Sequence, residues 1–66
     1  MTVQVNGEAK ELSDGATVAK LVETLELGEV RIAVEVNKEL VTRKAWATHA
    51  LKDGDRVEVV TFVGGG

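Results

Sequence analysis

The groups in this chain that could do chemistry are few, and the most suggestive lie at its end. Thr61-Phe62-Val63 is an apolar, strand-like run, and it is followed by Gly64-Gly65-Gly66. Glycine lacks a Cβ and has the least restricted backbone, so three in a row carry no local folding signal. They read as a thin thread with a carboxylate at its tip, able to enter a channel too narrow for side chains. The same stretch also reads as an ordinary frayed terminus. A C-terminal carboxylate has an unperturbed pKa of about 3.3–3.7 and is ionised at neutral pH. As it stands it is a poor electrophile.

The other reactive side chains point to less. His49 is the single histidine, and there is no cysteine to share a metal with it. A catalytic histidine needs a nucleophile or an oriented substrate nearby, and none is implied, so His49 reads as structural. Trp46, the single tryptophan, reads as a packing residue whose indole N–H finds an acceptor. Asp53 and Asp55 flank Gly54, but two carboxylates on a turn are too few for a dedicated calcium site. No metal site is expected. Without cysteine there is also no thiol nucleophile and no disulfide staple.

Size and charge narrow the field further. A chain of 66 residues makes one small domain, burying only about 60% of its unfolded surface. That leaves little room for a substrate-enclosing pocket, which argues against an enzyme acting alone. The net charge is −3, from 11 acidic and 8 basic residues, with no cluster of lysine and arginine. Nucleic acid, whose phosphates call for a positive face, is not an expected partner. No apolar run approaches the roughly 20 residues needed to span a bilayer, and no signal-peptide pattern opens the chain. A cytoplasmic, membrane-free protein is the expectation.

The elements that must position the tail follow from local pattern. Thr2 to Asn6 alternates polar and apolar, and Asn6-Gly7 is a type I′ hairpin signal, so Glu8 to Leu12 is the returning strand. Thr17 can cap a helix of about ten residues carrying Val18, Leu21, Val22 and Leu25 on one stripe, with Gly28 as its stop. The capping box is incomplete, because Lys20 stands where Glu or Gln would close it. Arg31 to Asn37 is a strand with Ile32, Val34 and Val36 on one face and Arg31, Ala33 and Glu35 on the other. Asn37-Lys38 turns the chain into a short strand, Glu39 to Val41. Thr42 to Ala50 is irregular, with one tight helical turn near Lys44 to Ala47. Leu51 plugs the core, and Lys52 to Asp55 is a turn.

Arg56 to Val63 is the longest strand, apolar enough to be central. Val57, Val59, Thr61 and Val63 share one face; Arg56, Glu58, Val60 and Phe62 share the other. One helix can cover only one face of a sheet. Val60 and Phe62 therefore stand on an open face beside the tail. They are scattered surface apolars on one reading and a partner-docking patch on the other. The order of elements predicts an α+β fold, a mixed four- to five-stranded sheet crossed on one face by one helix. Residues 1–63 form the domain and residues 64–66 a flexible tail.

These residues resemble a known family. Val34-Glu35-Val36-Asn37-Lys38-Glu39-Leu40-Val41 is similar to the middle strands of the sulfur carriers of thiamine biosynthesis, the ThiS family. Arg43, Trp46, His49, Leu51 and Asp53-Gly54-Asp55 stand in that family's order and spacing. The run from Val57 to Gly66 looks like its ending. Thr42, where many members carry proline, and the third glycine are departures that leave Gly65-Gly66 intact.

The resemblance implies a ubiquitin-like β-grasp fold. It implies that an E1-like adenylyltransferase activates the Gly66 carboxylate with its own ATP and Mg²⁺, this chain binding no cofactor itself. Sulfur from a cysteine desulfurase then gives a thiocarboxylate, which thiazole synthase consumes. On this reading Gly66 is the reacting residue, and Gly65, Gly64, Val63, Phe62 and Val60 meet the partner. The protein is a cosubstrate and not a catalyst. Three alternatives remain open at this point: the small subunit of molybdopterin synthase, a ubiquitin-like modifier of lysines, and a plain β-grasp interaction module.

Overall fold

A computed structural model describes residues 1–62. Five strands and one α-helix follow in the order β1 (Thr2–Val5), β2 (Glu8–Glu11), α1 (Val18–Thr24), β3 (Arg31–Val36), β4 (Glu39–Val41) and β5 (Arg56–Phe62), with a 3₁₀ turn at Arg43–Ala45 between β4 and β5. The sheet order is β2-β1-β5-β3-β4. β5 lies at the centre, parallel to β1 and antiparallel to β3. The sheet is thus mixed, five-stranded and crossed by one helix, as expected.

Both hairpins turn through left-handed residues. Asn6 and Gly7 have φ of 51° and 85°, and Asn37 and Lys38 have φ of 52° and 71°. That pair of positive values is the type I′ signature, whose twist matches that of the flanking strands. Asn tolerates the conformation better than most residues; Lys38 does not share that advantage.

The core forms where one face of the sheet meets α1. Val3, Val34 and Val57 from three adjacent strands are at most 1% exposed, and Val18 and Leu21 of the helix are fully buried against them. Val5, Val36, Val41 and Leu51 complete the cluster. Leu51 does plug the core. Burying a side chain of this size contributes about 1.5–3 kcal/mol, and a helix of only seven residues would not persist without it.

The helix is shorter than its apolar stripe suggests. Thr17 caps it, its hydroxyl accepting from the Lys20 amide at 3.2 Å. The Val18 and Ala19 amides, orphans of the first turn, donate to the carbonyls of His49 and Trp46, both at 3.0 Å. The irregular segment before β5 is therefore the helix's N-terminal support. At the other end the helix stops at Leu25, and Glu26 takes the left-handed conformation with φ of 52°. Gly28, expected as the stop, lies beyond the helix in a second left-handed turn, with φ of 71°. The 3₁₀ turn spans Arg43–Ala45, one residue earlier than expected, because the Ala45 amide bonds back to Thr42.

Candidate functional site

The face of the sheet away from α1 carries an apolar patch. Phe62 is 56% exposed and Val60 is 51% exposed, which confirms their placement on an uncovered face. Cross-strand register fixes their neighbours: Val60 stands opposite Ala33, and Phe62 opposite Arg31. On the far side of β3, Leu40 of β4 pairs with Glu35 and is 64% exposed. It sits diagonal to Ala33, close enough for side chains to touch a common partner. Leu40, Ala33, Val60 and Phe62 thus run obliquely across three strands. Ala33 was already on this face by alternation, but Leu40 was not recognised as part of it. The signal was present: Val41 is a core residue, so its neighbour in the strand must point the other way.

Charges frame the patch. Arg31 stands beside Phe62. Glu35 and Glu58 face each other directly across β3 and β5, and among the described residues no ion pair joins either to a base. Like charges in such a pair weaken a sheet, so their placement does not serve the fold.

β5 delivers the chain from this face towards its end. Val63, Gly64, Gly65 and Gly66 lie outside the described residues. What the structure gives is the platform they leave from. Phe62, the last described residue, is paired to Arg31 of β3, so β5 is held by a neighbouring strand up to that point.

The remaining candidates are structural. The Trp46 indole N–H donates to the Val41 carbonyl at 2.9 Å, and the Arg43 guanidinium lies over its ring, 5.5 Å from the centroid. His49 contributes its backbone carbonyl to α1 and its amide to the Ala45 carbonyl. The carboxylate of Asp53 accepts from the Thr2 amide at 2.7 Å. That of Asp55 accepts from the Lys52 amide and from the Asn37 side chain. Both carboxylates are occupied in turn chemistry. Among the described residues no cluster of three or more acidic or histidine side chains could hold a metal ion, and no helix is long and apolar enough to cross a membrane.

Fold and surface together define a β-grasp protein that presents a bare apolar face next to the end of its central strand. The solved structure of a thiamine biosynthesis protein, ThiS, from Geobacter metallireducens superposes with a TM-score of 0.84, covering 100% of both chains at 33% identity. The sulfur carrier protein ThiS of Escherichia coli is 32% identical over 66 residues, again 100% of both. A thiazole synthase of Paramagnetospirillum magneticum is 39% identical over 66 residues, but this chain spans only 20% of that longer protein. The ThiS family model matches residues 3–66. The chain belongs to the ThiS family of sulfur carrier proteins.

Proposed function

We propose that this chain carries sulfur in thiamine biosynthesis as a thiocarboxylate on Gly66, and that it acts as a cosubstrate of other enzymes. The observation that carries the reading is the pairing of a full-length match to a sulfur carrier with an uncovered apolar face at the end of the central strand. The family match selects the thiamine carrier from the alternatives that the sequence leaves open.

In the proposed reaction a Gly66 carboxylate oxygen attacks the α-phosphorus of ATP on an E1-like adenylyltransferase, and pyrophosphate leaves. The terminal sulfur of a persulfide, formed by a cysteine desulfurase, attacks the acyl carbon and expels AMP. A second thiol then cleaves the sulfur–sulfur bond, leaving the thiocarboxylate, which thiazole synthase takes as its sulfur nucleophile. ATP and Mg²⁺ enter through the activating enzyme. Gly64 and Gly65 let the chain lie extended in a narrow channel, and Val63 joins them to the strand.

Val60, Phe62, Leu40 and Ala33 form the docking face. An aromatic seated in a partner pocket contributes about 2 kcal/mol or more to binding, and the Glu35–Glu58 pair favours a partner with basic residues around an apolar centre. The test is pyrophosphate exchange: an E1-like adenylyltransferase should incorporate labelled pyrophosphate into ATP only when this protein is present. Exchange that is indifferent to the protein would contradict the proposal.

A further inference from the structure

The parallel ladder between β1 and β5 ends early. It pairs Gln4 with Arg56 and Val5 with Val57, and the Asn6 amide donates to the Val57 carbonyl at 2.9 Å. At the next step the Asn6 side chain replaces a peptide. Its Oδ1 accepts from the Val59 amide at 2.8 Å, and its Nδ2 donates to the Val59 carbonyl at 3.1 Å. The chain has by then turned away at Gly7. Alternation along β5 sends the peptide groups of Val57, Val59 and Thr61 towards β1, and those of Glu58, Val60 and Phe62 towards β3. Thr61 therefore directs its N–H and C=O at a position where β1 no longer runs.

A groove of about 280 Å³ opens along this same edge, lined by Val5, Lys10, Leu25, Leu27, Val59 and Thr61. It lies on the helix side of the sheet, opposite the apolar patch. Apolar Val5, Leu25, Leu27 and Val59 line it together with the charged Glu8 and Lys10 of β2, and Thr61 of the free edge borders it. A free strand edge beside an apolar groove suits an extended peptide. Backbone groups supply the pairing, and alternate side chains reach the groove.

We infer that the Thr61 edge of β5 receives an extended strand of the adenylating enzyme, which pairs with the Thr61 peptide groups and places an apolar side chain against Leu25, Leu27 and Val59. The inference rests on the proposed function. An enzyme that works on Gly66 must grip the chain where it leaves the sheet, and Thr61 offers the last described peptide groups free to pair on that side. Asn6 sets where the edge begins, by closing the ladder at Val59.

Two measurements test this. Amide hydrogen exchange in the free protein should show Thr61 exchanging fast while Val60, paired to Ala33, is protected. Adding the E1-like adenylyltransferase with ATP and Mg²⁺ should slow Thr61 exchange about tenfold or more. Thr61→Pro removes the donor at a position where the native N–H faces no strand, so the melting temperature should hold. The KM of the carrier for adenylation should rise about fivefold, as expected for one lost hydrogen bond, with kcat little changed. Thr61 exchange that is the same free and bound, in a complex that adenylates the protein, would overturn the inference. Protection that grows with the protein's own concentration and without enzyme would also overturn it, by showing that a second copy occupies the edge. Failure of the wild-type protein to be adenylated at all would overturn the functional reading first, and the inference with it.

Discussion

Val57 and Val60 stand three residues apart in the same strand and meet opposite fates. Val57 is 1% exposed and touches the helix-side core; Val60 is 51% exposed on the bare face. The same contrast holds across the whole sheet. Valines of β1, β3 and β5 meet α1 on one side, while Leu40, Val60 and Phe62 stand exposed on the other. Among the described residues a single α-helix covers the sheet, and it covers one face. One face therefore holds the fold together, and apolar groups on the other are free to serve binding. The two faces should respond to substitution in opposite ways.

The largest effect is expected in the core. Leu21→Ala should cost about 3 kcal/mol of stability, as large-to-small changes at fully buried sites do. Because small domains have only about 3–5 kcal/mol in total, denaturant titration should show a substantially unfolded variant. Phe62→Ala should divide the other way. Its stability loss should stay below about 1 kcal/mol, within the range of one cross-strand pair. Its affinity for the adenylating enzyme should fall by about 2 kcal/mol, roughly thirtyfold. Parallel melts and binding titrations would read both, and equal losses in the two assays would erase the distinction between the faces.

Smaller effects sharpen the comparison. Glu58→Lys replaces a like-charge pair with Glu35 by an opposite one, and should stabilise the sheet by about 0.5 kcal/mol. The same change should slow association with the enzyme at low salt, if the carboxylates steer a basic partner. Stability gained together with unchanged association would assign the pair no role in docking. Thr42 has φ of −65°, the angle that proline enforces. Thr42→Pro should therefore raise stability by about 0.5 kcal/mol through the unfolded chain, measurable as a small rise in melting temperature with no change in binding.

Much of this was legible in the sequence because the deciding signals are local. Asn6-Gly7 and Asn37 fix both hairpins, strand alternation fixes which residues face α1, and the apolar length of β5 places it centrally. The helix end was misread because Gly28 is the obvious left-handed residue. The chain instead turns first at Glu26, so that Leu25 still packs on the core and Leu27 lines the groove beside β5. Leu40 was missed because a three-residue strand gives too little alternation to read a face. The Asn6 clasp on Val59 was out of reach altogether, since it joins groups 53 positions apart. A pairing that long-range is visible only once the strand order is known. The chemistry proposed for Gly66 came through resemblance, whereas the thread of glycines and the open-face apolars were legible from the residues themselves. Spacing placed Val60 and Phe62 on one face, but only their exposure and the neighbours across β3 make that face a patch.

The proposed function turns on one step, the conversion of the Gly66 acid presented by the folded domain. It is tested most directly by intact mass spectrometry after incubation with an E1-like adenylyltransferase, ATP, Mg²⁺ and a persulfide source, comparing the native chain with one whose Gly66 is amidated. Sulfur should replace one oxygen in the native chain, and the amidated chain should keep its mass. A native chain that gains no sulfur, or an amidated chain that gains as much, would contradict it.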